Sequence, residues 1–290
     1  MPSTITLKRR INSIRSTRQI TKAMELVSAS KLRRAQAIAQ RSREYQELAY
    51  ELLQRLSVLP EAELHPMLVK KKINRRLYVM IGTNSGLAGA YSANISKELL
   101  NRLQRDRQEN VASSVIAVGN KGAQFVRRLA GVKLAAVYQP FGDQPTAEQI
   151  RPLLNTAIKL FKDGEVEAIE LIYTSFISTV NQKVTNMLLL PAAAPDKGES
   201  FSEVSTFEPD AETVIDQVIT RLIEAQIWQA VLESLASEHA MRMMATKNAT
   251  DNATELINDY TLALNTARQA AITQELAEIT GGSEALNEIA

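Results

Sequence analysis

The glycine-rich segment Gly82–Gly89 (GTNSGLAG) is the first place where this sequence could bind a phosphate group. It follows an apolar run and precedes a segment of helical character, which is the context of a phosphate-binding loop. Its glycines, however, are separated by three and then two residues, whereas the dinucleotide fingerprint needs one and then two, and the Gly-Lys-Ser/Thr ending of the P-loop is missing. Tight turns explain this segment, and also Gly119–Gly122, better than a phosphate site does.

Other residues that could carry chemistry are few. The two histidines, His65 and His239, lie far apart in the sequence and show no metal-ligand spacing. Cysteine is absent, which excludes a disulfide framework, a thiolate zinc site and a cysteine nucleophile. No set of nucleophile, base and acid can be assembled. The sequence therefore predicts no catalytic residue, no metal site and no cofactor.

Two long segments without glycine or proline must dominate the architecture. Neither residue type occurs in 3–59 or in 210–280. Such lengths, rich in Ala, Leu, Glu, Gln and Arg, predict two long helices, and heptad-like spacing of small and apolar residues predicts that they form a coiled coil. The segment 7–43 has eleven basic residues and one acidic residue, whereas 210–290 has thirteen acidic and four basic residues. These opposite charges favour an antiparallel pair, although most charge runs are solvated helix faces.

The middle of the chain has a different pattern. Short apolar runs at 77–82, 114–119, 132–138 and 168–174 alternate with segments of helical character, which predicts a parallel sheet covered on both faces. The run 180–190 follows too closely for a crossover helix, so it should pair antiparallel at the sheet edge. The predicted fold is therefore α/β: a Rossmann-like central domain, mostly parallel with one antiparallel edge strand, and a long antiparallel coiled coil of the terminal helices.

This organisation gives four predicted parts. They are an N-terminal coiled-coil helix (1–60), a central α/β domain (73–195), a C-terminal coiled-coil helix (208–282) and a C-terminal tail (283–290). Pro191, Pro195 and Gly198 mark a linker after the central domain. The longest apolar runs fall short of the ~18 residues that a membrane span needs, and the polar start of the chain does not suggest a signal peptide.

Several segments resemble the gamma subunit of F-type ATP synthase. They are LKRRINSIRSTRQITKAMELVSASKLRRAQ (7–36), MRMMATKNATDNATELI (241–257), ARQAAITQELAEITGG (267–282) and, more loosely, GLAGAYSANI (86–95) and YTSFIST (173–179). The resemblance covers nearly the whole chain and is tightest at both ends. It implies a central rotor shaft that couples proton-driven rotation of the c ring to conformational cycling of the catalytic beta subunits. The implied partners are the alpha and beta subunits of the alpha3-beta3 ring, the epsilon subunit and the c ring.

The resemblance also implies contact residues between rotor and stator. Arg268 and Gln269 match an upper contact with a loop of the beta subunit, and Thr273 and Glu275 continue that segment. Positions that match a lower contact, near an acidic lever of the beta subunit, are Lys22, Met24 and Arg242. A basic face would then hold an acidic partner surface; its residues are Lys8, Arg9, Arg10, Arg15, Lys31, Arg33 and Arg34. For each of these residues, coiled-coil packing or solvation is the alternative.

The sequence departs from the family at one motif. Thr83–Gly89 lacks the acidic residue and the cysteine that the family usually has there, so any role of those groups is in doubt, and thiol switching of the chloroplast type is excluded. Length and the start of the chain favour a bacterial protein, peripheral on the cytoplasmic face of the cell inner membrane and without direct membrane insertion.

Two other functions are weighed against the rotor shaft. A coiled coil that binds nucleic acid through the basic face would show steep salt dependence, but that face lacks stacking aromatics and the acidic C-terminal helix would compete for it. A nucleotide-dependent enzyme on the central sheet would place a ligand at Gly82–Gly89, where the phosphate-binding pattern is missing. We therefore expect no nucleic-acid partner and no active site.

Overall fold

The computed structural model describes residues 3–56, 62, 65–69, 71–192 and 210–289. The chain divides into two compact units, and each is described by itself. Unit 1 combines Met1–Val27 with Met243–Ala290, and unit 2 is Ser28–Arg242. The predicted linker residues Pro195 and Gly198, and the predicted domain boundaries at 60, 195 and 208, lie outside the described residues. The four-part division of the chain therefore stays a prediction.

Two long helices run at the ends of the chain. Helix α1 spans Thr4–Leu56 and helix α5 spans Ala211–Ile289. Each begins beside a polar residue that accepts a hydrogen bond from a free backbone N–H of the first turn: Ser3 Oγ accepts from Thr6 N at 3.3 Å, and Asp210 Oδ1 accepts from Thr213 N at 2.7 Å. The sequence predicts that this helix ends at residue 282. In the structure α5 continues beyond it, and Gly281 and Gly282 both lie within the helix.

In unit 1 the two helices run antiparallel. Thr21 Oγ1 and Thr250 Oγ1 are 2.8 Å apart, and Arg10 Nη1 donates to Tyr260 Oη at 3.4 Å. Leu7, Ile11, Ala253 and Ile257 are buried along this contact. None of the described ion pairs in unit 1 joins α1 to α5. The described ion pair on α1, between Lys22 and Glu25, lies within that helix. Among the described contacts, apolar burial, the threonine hydrogen bond and the Arg10–Tyr260 contact hold the pair.

A five-stranded sheet forms the centre of unit 2. Its strands are β1 (Arg75–Ile81), β2 (Ala112–Val118), β3 (Lys133–Tyr138), β4 (Ala168–Phe176) and β5 (Gln182–Leu190). Their order is β3-β2-β1-β4-β5, and every neighbouring pair is parallel except β4 with β5, which is antiparallel. The predicted fold class is confirmed, including the antiparallel edge strand.

Helices cover both faces of the sheet. The shorter ones are α2 (Tyr91–Gln108), α3 (Asn120–Val126) and α4 (Ala147–Lys162). Because side chains alternate along a strand, Tyr78 and Met80 of β1 face a core with α2 and α3, whereas Leu77, Val79 and Ile81 face a core with α4 and α5. Successive apolar residues are therefore needed on β1, which explains its continuous apolar run.

Candidate functional site

The C-terminal end of α5 is the most exposed surface of unit 1. Every residue from 268 to 283 is exposed, and these include the predicted contact residues Arg268, Gln269, Thr273 and Glu275. The reason is the length of the partner helix. Because α1 begins at Thr4 and Arg10 already lies beside Tyr260, no described residue of α1 packs against the last turns of α5. The structure therefore brings these four residues together on one unpaired stretch of helix.

Large apolar side chains lie among them. Ile272, Leu276 and Ile279 are 50%, 60% and 70% exposed. Their spacing of four and then three residues places them on one face of the helix. A row of exposed large apolar residues is typical of a surface that another protein covers. Sequence reasoning did not single out these three residues, although their helical spacing was a signal that could have found them.

The predicted lower-contact residues fall into different units. Lys22 and Met24 lie in unit 1. Lys22 is exposed and forms an ion pair with Glu25 at 3.1 Å, and Met24 is half-buried. Ile20, Leu26 and Val27 beside them are more than half exposed, and sequence reasoning did not identify them. Their exposure adds apolar surface next to the predicted contact.

Arg242 lies in unit 2 and is buried. Its guanidinium donates to Glu238 Oε1 at 2.6 Å and to the carbonyl oxygen of Gly86 at 3.4 Å. Glu238 in turn accepts from Thr83 Oγ1 at 2.8 Å. The side chain of Arg242 is therefore engaged within its own unit, where it fixes the loop after β1 against α5.

The predicted basic face is divided between the units as well. In unit 1 the side chains of Lys8, Arg9, Arg10 and Arg15 are exposed, and Arg10 lies over the ring of Tyr260 at 5.8 Å. In unit 2 Arg33 and Arg34 are exposed, whereas Lys31 forms an ion pair with Asp143 at 2.9 Å. Most of the predicted face is thus available to an acidic partner.

A buried histidine lies close to this ion pair. His239 Nε2 is 3.7 Å from Asp143 Oδ1. Burial lowers the pKa of His239, and the carboxylate of Glu238 opposes this effect. A neutral imidazole is therefore favoured between the Asp143 carboxylate and Arg242.

The loop Gly82–Gly89 uses its polar groups within the chain. Asn84 Oδ1 accepts from the backbone N of Asn120 at 2.5 Å, and Ser85 N donates to Thr83 Oγ1 at 3.1 Å. In open parallel sheets, ligands bind beyond the carboxyl ends of the strands where the strand order reverses. Here that place, between β1 and β4, is filled by α5, whose Ser234 and Ser237 bond to the backbone of Thr174. The turn interpretation of Gly82–Gly89 fits this geometry.

Comparison with known proteins identifies the family. The family model described as ATP synthase matches residues 3–286. An ATP synthase gamma chain of Staphylococcus aureus strain JH9 is 38% identical over 280 residues, which are 96% of each chain; that of strain MRSA252 gives the same values. The chain belongs to the ATP synthase gamma chain family.

Solved structures of ATP synthases share the fold of this gamma-family chain. A chain of the Euglena gracilis mitochondrial ATP synthase is 20% identical with a TM-score of 0.68, covering 98% of this chain and 94% of that one. A central-stalk chain from Tetrahymena thermophila is 22% identical with a TM-score of 0.61, covering 79% of this chain and 99% of that one.

Family membership confirms the predicted role. The chain is a non-catalytic subunit of an ATP synthase complex and serves as its central rotor shaft. The alternative of a nucleic-acid-binding coiled coil finds no support in these comparisons. No helix within the described residues is long and apolar enough to cross a membrane.

Proposed function

We propose that the gamma-family chain transmits rotation through the exposed end of α5, which contacts the alpha3-beta3 ring. The observation that carries this proposal is the unpaired stretch 268–283, every residue of which is exposed. Ile272, Leu276 and Ile279 give it an apolar face, and Arg268 gives it a cation suited to a carboxylate on a partner loop. Gln269, Thr273 and Glu275 complete the contact.

The contact can drive conformational change because the helix end is asymmetric. A single helix end has no three-fold symmetry, so it binds the three beta subunits of a ring unequally. The conformation of a beta subunit that contacts the shaft more strongly is then favoured, and the difference in contact free energy sets by how much. Rotation moves that preference from one beta subunit to the next, and in this way proton-driven rotation of the c ring drives ATP synthesis, or ATP hydrolysis drives rotation in reverse.

A second contact lies lower on the shaft. We assign to it Lys22 and Met24, with the exposed apolar residues Ile20, Leu26 and Val27 beside them. The exposed basic residues of α1 favour an acidic surface of the beta subunit, since charge complementarity guides and orients contacts of this kind. A contact role for Arg242 stays a prediction, because its side chain is held by Glu238 and Gly86 within unit 2.

The central sheet domain accounts for the remaining partners. In this proposal unit 2 contacts the epsilon subunit and the c ring, while the alpha and beta subunits surround the paired helices. The complex then places this chain at the cytoplasmic face of the inner membrane of a bacterium, attached through its partners. It has no nucleic-acid partner in this arrangement.

Substitution of Arg268 tests the upper contact. The charged side chain is exposed, so Arg268→Ala leaves the fold of the chain unchanged and removes a charge-assisted hydrogen bond, which lowers assembly or ATP turnover of the complex about tenfold. Lys247→Ala is the matched control, since it removes another exposed base of the same helix. Yield of the assembled complex and its ATPase rate are the measurements. Unchanged values for Arg268→Ala would remove this residue from the contact.

A further inference from the structure

The contact between α5 and the ends of two central strands has a composition that simple packing does not explain. It consists of Ser234, Ser237 and Glu238 on α5, with Thr83 after β1 and Thr174 on β4, and we call it the strand-end contact. All five residues are buried. Elsewhere α5 meets the sheet with apolar residues such as Ile223, Ile227 and Val231. The change from apolar to polar contact occurs within one turn of the helix.

Strand register explains why polar groups are needed at this place. The described pairing of β1 with β4 ends at Met80 and Ile172, whereas β4 continues to Phe176. Beyond Ile172 the edge of β4 that faces β1 therefore has no strand beside it, and its backbone groups would be left without partners in a buried position.

Two serines of α5 take the place of the missing strand. Thr174 N donates to Ser234 Oγ at 3.0 Å, and Ser237 Oγ donates to the carbonyl oxygen of Thr174 at 3.1 Å. Ser234 and Ser237 are 1% and 0% exposed. The helix thus satisfies both backbone groups of one strand residue, much as a neighbouring strand would.

A third bond joins the same helix face to Thr83, two residues after the end of β1. Thr83 Oγ1 donates to Glu238 Oε1 at 2.8 Å, and Arg242 holds the same carboxylate oxygen at 2.6 Å. Because β1 and β4 are adjacent strands, the helix is bonded at two places about 5 Å apart across the sheet. The bonded residues 234–238 also extend about 6 Å along the helix axis.

Directional bonds at two separated places resist a different motion from apolar packing. Apolar contact opposes separation, and its interdigitated side chains also resist sliding, but it does not fix one direction as a hydrogen bond does. A hydrogen bond weakens steeply when its angle changes. Bonds to β4 and to the loop after β1 therefore oppose rotation of α5 about its own axis, which is the motion that a torque-carrying shaft must resist where it joins its sheet domain.

We infer that the strand-end contact is the joint that carries torque between the sheet domain and the shaft helix, and that Ser234, Ser237 and Thr83 are its positioning residues. This inference rests on the proposed transmission of rotation through α5. It predicts that loss of these bonds lets the helix slip under load while the catalytic ring still hydrolyses ATP.

The test uses the whole ATP synthase in sealed lipid vesicles and measures protons pumped per ATP hydrolysed. In the double variant Ser234→Ala with Ser237→Ala we expect the complex to assemble and hydrolyse ATP, and the pumping ratio to fall at least twofold. Thr83→Val keeps the shape of the side chain and removes its hydroxyl, and we expect a smaller fall in the same direction. Val231→Ala is the control, since it removes apolar packing of the same helix and no hydrogen bond, and its ratio should equal that of the wild type.

The outcomes separate the joint from general damage and from the proposed function. An unchanged ratio in both polar variants would overturn the inference, and so would an equal fall in Val231→Ala. If the double variant fails to assemble, the comparison of the pumping ratios of Thr83→Val and Val231→Ala decides the question: a lower ratio in Thr83→Val supports the inference, and equal ratios overturn it. Wild-type complex that hydrolyses ATP without pumping would contradict the proposed function itself, whatever the variants do.

Discussion

Gly119 lies at the end of β2, where its backbone passes close to the backbone of Thr83. Its φ and ψ of 90° and 145° are essentially restricted to glycine. A Cβ built on this residue would lie 2.9 Å from the backbone nitrogen and carbonyl carbon of Thr83, closer than van der Waals contact permits. This glycine therefore allows the approach that positions Thr83 toward Glu238.

Gly119→Ala should destabilise unit 2 by about 3 kcal/mol, because it combines a disfavoured backbone conformation with a backbone clash. Gly142→Ala is the matched control, since no atom lies within 4 Å of its added Cβ, and it should change stability by less than about 0.5 kcal/mol. Urea unfolding of the full chain, followed by circular dichroism, measures both. Equal stabilities of the two variants would show that the approach of Gly119 to Thr83 is not close in solution.

Individual side chains show where sequence reasoning reaches its limit. The resemblance assigns similar contact roles to Arg268 and Arg242, but only Arg268 is exposed. Arg242 is buried because the sheet brings Gly86, 156 positions away in sequence, against α5. Ser234 and Ser237 could not be identified either, since their role depends on β4 extending past the paired part of β1. That register is a property of strand pairing and is invisible in a single sequence.

At the scale of elements, the absence of glycine and proline predicted both long helices well. The same signal failed at the C-terminus, where Gly281 and Gly282 are helical, because glycine weakens a helix without forbidding it. The strands were predicted nearly as well. Strand β1 begins two residues before its apolar run, because the backbones of Arg75 and Arg76 pair with Ala112 and Ser113 of β2. The two charged side chains form ion pairs with Glu167 and Glu170.

The two ends of unit 1 should respond differently to the same substitution. Ile11 is 4% exposed in the helix pair, so Ile11→Ala should destabilise that pairing by about 3 kcal/mol. Ile272 is 50% exposed on the unpaired end, so Ile272→Ala should change the stability of the free chain by less than about 0.5 kcal/mol. It should instead lower the yield of assembled complex. Hydrogen exchange of amides in 4–27 and 243–260 measures the first effect, and equal protection in the two variants would contradict this account.

For the whole molecule, function depends on surfaces that the chain leaves uncovered. These surfaces are the exposed stretch of α5, the apolar residues near Met24 and the basic residues of α1. They add nothing to the stability of an isolated chain, and in a complex they can bind partner subunits. The place where a related sheet would bind a ligand is filled by α5 instead. A subunit of this kind acts by rotating against the subunits that it contacts, and those partners catalyse the reaction.

Rotation of this chain inside the assembled complex is the measurement that tests the central claim most directly. The chain contains no cysteine, so Glu109→Cys, at an exposed position just after α2, gives it one unique site for a gold rod. With the alpha3-beta3 ring fixed to a surface and ATP supplied, we expect the rod to rotate continuously in one direction, at a rate that follows ATP hydrolysis. ATP hydrolysis by complexes whose rod stays still, or turns at random in both directions, would contradict the rotor-shaft function.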